Sequence, residues 1–493
     1  MTMGEGGIVQ FELLLVLVCL IILISIAIRK TKIPLPLALV VAGMVLSFIP
    51  NVPTVHIPPD LILYLFLPLL VYQASVTIPW HDLKNNLRLI VLLSVGHVLF
   101  ATLAIAWCCH TFLGINWNIG IIIGAVLSPP DDVALVSVAK KLAVPRRIVT
   151  VLAGEGLFND ATALTILKIA IAGATAHQWA VGGSILSFIE IVVSEIAYGL
   201  ILGFVISEVR GWLKDLELEI LVSLISPFIA YLPAVALGGS GVLATATLGF
   251  YIGQSRSRKF SAESRILIRP VWVAIGVVTE SLLFLWAGLN ARDLIQSLTG
   301  HSVGSLFYAG LIVSVTAVVA RFIWVFPAVY LPRFLFLSIR KKDPYPPWQY
   351  PFLVSWGGMR GAICIAAALT IPVQASVIGA DTKHFIVFLA FCVVVTTLLF
   401  QGLSLPVLIK WLGLHPHIKA ETQDLEREMA YVVSALQGAI GYERGAHKSL
   451  ALERKELARL FGEKHISAHT FQQLERSLDF KESSITLTSA EQD

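Results

Sequence analysis

The chain has 493 residues, of which 56% are hydrophobic and only 14% charged, with a formal net charge of +4. A soluble protein of this length carries about 25% charge. A soluble globular class is therefore excluded, and the small basic excess points to loops beside a membrane rather than to nucleic acid.

Apolar runs of roughly 18 residues or more read as membrane helices. The first, residues 8–28, is too long for a signal-peptide core and lacks a basic leader and a small-residue cleavage site, so a retained span is expected. Further spans are predicted at 34–50, 61–78, 88–113, 118–139, 148–174, 183–208, 218–236, 238–254, 268–290, 303–332, 350–373 and 384–412. This makes about thirteen in an all-α polytopic membrane protein, least sharply divided over 218–254. With the N-terminus outside, the inner loops hold Arg29, Lys30, Lys32, Lys84, Arg88, Lys140, Lys141, Arg146, Arg147, Arg210, Lys214, Arg256, Arg258, Lys259, Arg265, Arg333, Arg340, Lys341 and Lys342. The outer loops hold only Arg292 and Lys383. That asymmetry predicts a cytoplasmic C-terminal end. Residues 1–413 read as the membrane domain. Residues 414–493 are charged with helically spaced apolar positions, which predicts a cytoplasmic helical tail with a regulatory or dimer-contact role. The tail carries no Gly-x-Gly-x-x-Gly fingerprint. The five cysteines sit in apolar spans and show no disulfide or metal spacing. His97 and His110 read as packing or interface residues, and no nucleophile cluster marks an enzyme or a cofactor site.

Charge at bilayer depth costs several kcal/mol and faces a cavity or a partner. Two spans that carry charge are also broken. In "GAVLSPPDDVALVSV", Pro129 and Pro130 remove backbone donors. In "VSWGGMRGAICIAAALTIP", Gly357, Gly358 and Gly361 surround Arg360. Unwound backbone at that depth survives only inside protein or along a cavity. Two interrupted helices at matching places, the fifth and twelfth spans, predict inverted repeats with a site near the midplane. Asp131 and Arg360 are placed to offset half-helix ends, and Asp132 to cap the second half-helix. The span "VTVLAGEGLFNDATALTILKIAIAGA" carries Glu155, Asn159, Asp160 and Lys168. Glu155 is expected to form a buried ion pair with Arg360, and Arg321 to neutralise another buried acid or a carbonyl cluster. Asn159 either ties helices together or orients Glu155. Asp160 has no partner on its own helix. A lone carboxylate there can trade a proton for a small hard cation, which prefers oxygen ligands.

Together, "SPPDDVALVSV", "GEGLFNDATAL" and "WGGMRGAICIAAALTIP", supported by "LFLPLLVYQASV" and "ARFIWVF", resemble the monovalent cation/proton antiporters, sodium/proton exchanger branch. The likeness spans about residues 10–412. It implies a homodimer with a core domain of two crossed unwound helices, a separate dimerisation domain and alternating access. By position, Asp160 looks like the ion- and proton-binding carboxylate and Asn159 its paired Asn, the pattern of the electroneutral branch. Asp131 looks like the acid of the unwound fifth helix, Glu155 and Arg360 the buried pair, and Arg321 the further core arginine.

The departures from the family lie in the ligand set. Gly156 replaces a serine, Pro130 a threonine, and Asp132 a proline. Gln73 stands where a glutamate is frequent, and Glu280 where Asn is usual. Gln73 and Pro130 still offer carbonyl oxygens. Glu280 reads equally as a replacement ligand, a second proton site or a partner for Arg321. The expected function is exchange of protons for Na⁺ or Li⁺, with K⁺ close behind, in a bacterial plasma membrane. A passive channel and a sensor signalling through the tail are the competing readings.

Overall fold

The computed structural model describes residues 3–31, 33–50, 58, 61–131, 144–176, 181–213, 215–298, 302–373, 378–413, 425–436, 446–463 and 465–490. Every regular element among them is helical. In chain order these are α1 (Met3–Ala27), α2 (Leu35–Ser47), α3 (Ile62–Thr77), α4 (Trp80–Leu113), α5 (Trp117–Leu127), α6 (Arg146–Ala176), α7 (Val181–Leu213), α8 (Leu216–Ala236), α9 (Val242–Lys259) and α10 (Ala262–Leu289). A short α11 (Ala291–Gln296) leads to α12 (Val303–Leu335), α13 (Leu337–Lys342), α14 (Gln349–Trp356), α15 (Ala362–Leu369) and α16 (Ala380–Trp411). The tail supplies α17 (425–436), α18 (Ala446–Gly462) and α19 (Ala468–Ala490).

Local chemistry sets these limits. Asn116 Oδ1 accepts from the amide of Asn118 at 3.1 Å to start α5. Asp215, Ser261 and Ser302 cap α8, α10 and α12 in the same way, each satisfying an amide that has no partner within its helix. α4 begins eight residues before the predicted span. Its first three turns, "WHDLKNNLRLIV", are amphipathic and bury Leu83 and Ile90, so hydropathy alone passes over them.

The membrane helices sort into two groups by their contacts. α4, α5, α6, α12, α14, α15 and α16 pack on one another; α1, α2, α3, α7, α8, α9 and α10 form the other group. In the second group, α2 and α10 approach backbone to backbone. A Cβ at Gly43 would lie 2.4 Å from Leu285 O, and one at Gly288 would lie 2.3 Å from Val40 O. Only glycine allows this approach, the usual basis of close helix packing where lipid supplies no hydrophobic drive. The outer faces are apolar, as on α7, where Ile185, Ile189, Val193 and Ile201 are exposed.

The tail helices bury a small core of their own, including Val432, Leu457, Leu460 and Leu474. They also dock on the membrane helices. Arg265, at the start of α10, donates from Nη2 to Asp479 Oδ1 at 2.6 Å, and Arg454 of α18 donates to the same oxygen at 2.6 Å. The His81 ring, at the start of α4, meets Phe461 edge-on at 5.8 Å.

Candidate functional site: a crossing of two broken helices

α5 stops at Leu127, where Ser128 and the two prolines take over. α14 stops at Trp356, and the chain stays non-helical until Gly361 opens α15. The two irregular stretches cross and join. The amide of Asp131 donates to Met359 O at 2.6 Å, giving an isolated antiparallel bridge. A Cβ at Gly361 would fall 2.1 Å from Asp131 Oδ2. The Asp131 carboxylate thus sits against the N-terminal end of α15, where the helix dipole favours negative charge. The φ of Gly361 is −97°, open to any residue, so it is space and not conformation that demands glycine there.

Arg360 serves the opposite polarity. Its Nε donates to Leu127 O at 2.7 Å, at the C-terminal end of α5, and an Nη donates to Gly358 O at 3.1 Å. Its own amide donates to Thr397 Oγ1 of α16 at 3.0 Å. Asp132 lies outside the described residues, as do Lys32, Lys140, Lys141 and Lys214.

The buried pair differs from the sequence expectation. Glu155 does not pair with Arg360. Its two carboxylate oxygens accept from the two Nη groups of Arg321 at 2.6 and 2.9 Å, with both side chains fully buried. Arg321 also donates from Nε to Val354 O at 3.1 Å. The reason is positional. Arg360 stands in the unwound segment, where the free carbonyls at the end of α5 take its donors. Arg321 rises on the continuous helix α12, and its guanidinium fills the space left by Gly358, where a Cβ would lie 2.1 Å from Nε.

One turn beyond Glu155, Asn159 Nδ2 donates to Pro130 O at 2.6 Å, and Asn159 Oδ1 has no hydrogen-bond partner among the described residues. Asp160 follows, half-buried, and lines a cavity with Pro129, Ala163, Leu164, Cys364 and Ala367. No hydrogen bond or ion pair to Asp160 occurs among the described residues. The crossing thus gathers Pro130, Asp131, Asn159, Asp160 and Arg360. Gln73 and Glu280 belong to the other helix group. The Gln73 side chain packs on Gly276 of α10, and Glu280 lies four residues further along, on the same helix face. Among the described residues, neither bonds to Asp160.

Lys168, which the sequence places two turns from Asp160, donates to Gly239 O in the other helix group. Two groups at the site or beside it escaped the sequence reading. Thr397 has no charge to flag it. Glu195 of α7 is buried and accepts from the amides of Ser240, Gly241, Leu243 and Ala244, which open α9. Glu195 was detectable by the rule that found the others, an acid inside an apolar run.

Crossed half-helices around two carboxylates, Asp131 and Asp160, in a bundle of apolar helices are the arrangement of a secondary transporter. A family model described as "Sodium/hydrogen exchanger, transmembrane" matches residues 14–411. A protein of Mycobacterium tuberculosis named as an uncharacterised Na⁺/H⁺ exchanger is 32% identical over 382 residues, covering 76% of this chain and 69% of the relative. The Na⁺/H⁺ antiporter ApNhaP of Aphanothece halophytica is 30% identical over 407 residues, covering 80% and 74%. Among solved structures, the sodium proton antiporter MjNhaP1 of Methanocaldococcus jannaschii shares the fold, with a TM-score of 0.65 at 17% identity over 82% of this chain and 99% of that one. The chain belongs to the sodium/hydrogen exchanger family: it is a multi-pass membrane protein of a cation/proton antiporter family, and a transporter rather than an enzyme.

Proposed function

We propose that the protein exchanges protons for a monovalent cation, Na⁺ or Li⁺ with K⁺ close behind, and that Asp160 is the site both share. The observation that carries this reading is the contrast along α6. Glu155 is saturated by Arg321, while Asp160 faces a cavity with no partner among the described residues. Asn159 Oδ1 stands beside it with its acceptor capacity unused. A monovalent cation on Asp160 leaves the same net charge as a proton on it. With Asn rather than a second acid at position 159, exchange is electroneutral. Loading one displaces the other, so the carboxylate enforces the coupling. Pro130, Asp131, Gln73 and Glu280 are the next candidates for oxygen ligands or a second proton position.

In this reading the group containing α6 moves against the group containing α10 to expose Asp160 to each side in turn, within a homodimer surrounded by lipid. The N-terminus lies outside and the 414–493 tail is a cytoplasmic regulatory domain. The test is pH-dye dequenching in energised everted vesicles on adding Na⁺, Li⁺ or K⁺. Cation-driven proton movement in the wild type, lost in Asp160→Asn, is the expected result. Movement with full rate in Asp160→Asn would shift the site, with Glu280 next to be tested. An Asn159→Asp variant is expected to make exchange sensitive to membrane potential.

A further inference from the structure

α4, α6 and α12 each bring an arginine to one end of their bundle: Arg88, Arg147 and Arg333. One carboxylate serves all three. Asp343 Oδ1 accepts from Arg147 at 2.8 Å, and Oδ2 accepts from Arg88 at 2.8 Å and Arg333 at 2.6 Å. Arg333 is committed to the protein: it also donates to the carbonyls of Asp343 and Val329, and it is buried. Arg147 gives Nε to Asn86 Oδ1 at 3.1 Å. Arg88 makes one side-chain hydrogen bond, and its buried Nε makes none among the described residues. Three guanidiniums against one carboxylate leave this cluster with two positive charges in excess. The side chains of Arg88 and Arg147 keep 32% and 40% of their surface exposed, so the excess lies at an open edge.

The surroundings identify the phase that meets this edge. The segment after Asp343 reads "PYPPW", and its Tyr345 and Trp348 are 41% and 49% exposed. Exposed Tyr and Trp at the ends of membrane helices mark headgroup depth. Beneath the arginines an apolar cleft opens between the helix ends, walled by Leu89, Ile148, Val151, Val329 and Pro351. A guanidinium fork matches two oxygens of a phosphate, and basic pockets between helices on the cytoplasmic side suit anionic headgroups. The exposed parts of the Arg88 and Arg147 side chains leave room for a second anion beside Asp343.

We infer that Arg88 and Arg147 form a binding site for the phosphate of an anionic glycerophospholipid, with Asp343 holding the two forks apart and Arg333 anchoring Asp343. The lipid spans the ends of α4 and α6 and so braces the bundle that carries Asp160.

The test compares lipid retained by the purified protein after exposure to equal mixtures of phosphatidylglycerol and phosphatidylcholine, read by native mass spectrometry. Wild type is expected to retain phosphatidylglycerol with roughly thirtyfold preference, the order set by two basic residues at an anionic surface. The Arg88→Gln/Arg147→Gln double variant, which keeps the Arg333–Asp343 anchor, is expected to lose it. Asp343→Asn loosens both forks and is expected to lower the preference, where a structural hub would lose stability alike in either lipid. Equal retention of both lipids by wild type, or an unchanged preference in the double variant, overturns the proposal. Stabilisation of wild type by inorganic phosphate matching that by phosphatidylglycerol also overturns it, assigning the site to a free anion. Retention is read without transport, so the outcome is independent of the role given to Asp160.

Discussion

Two acids stand five residues apart on α6, both inside the membrane bundle, and their surroundings are opposite. Glu155 meets a guanidinium that bonds both of its oxygens and excludes solvent. Asp160 meets an apolar cavity wall and the end of a broken helix. A charge whose donors are all built in is architecture, since the pair persists only while both partners stay. A charge left with unused acceptor sites at a cavity is available to an ion. Partnership, not depth, separates the two.

The sharpest break of this contrast is Glu155→Gln. It leaves Arg321 buried without a counter-charge, a loss of about 3–5 kcal/mol. Little monodisperse protein should survive size-exclusion chromatography in detergent, and transport should vanish with it. Asp160→Asn removes the other acid and should cost function without structure. Cation-driven proton movement should disappear while the melting temperature stays within a few degrees of wild type; a large drop would mean that Asp160 is also architectural. Gly361→Ala tests the crossing that lies between them. Its new methyl collides with Asp131 Oδ2, and strain of this kind costs about 1–3 kcal/mol. A lower melting temperature and a reduced exchange rate are expected; an added Asp131→Ala change should partly restore the melting temperature. The smallest effect belongs to Arg265→Ala, which leaves Asp479 of the tail with Arg454 alone. Protease sensitivity of the tail should rise several-fold, with the membrane helices unaffected; unchanged sensitivity would mean the apolar contacts hold the tail by themselves.

Much of this arrangement was legible in the residues. Pro129-Pro130 and the glycines around Arg360 announce broken helices because proline and glycine act locally. The separation of Glu155 from Asp160 was visible in part, since Asp160 lacks a partner within reach on its own helix. The identity of Glu155's partner was not. Two arginines of equal charge, Arg321 and Arg360, lie far away in sequence. The choice between them depends on which carbonyls the crossing leaves open. Leu127 O and Gly358 O claim Arg360, and no residue pattern displays a carbonyl. The early start of α4 was hidden for a different reason, because amphipathic turns at a membrane edge average to nothing in a hydropathy window. Glu195 was hidden by neither cause and was simply passed over.

α4 carries a π-helical stretch, Leu92–His97, and the indole Nε1 of Trp324 donates to Leu92 O at 2.7 Å. A π turn holds one residue more than an α turn, so it acts as a phase slip of about 100° in the helical wheel. The stretch before it turns Arg88 toward Asp343, and the stretch after it turns Ala106 toward Gly120 of α5. Without the slip, one continuous wheel would have to serve both neighbours and would misalign one of them. The extra residue uncouples the two ends, so that the first turns of α4 and its second half each take their own orientation, and Trp324 clamps the joint between them.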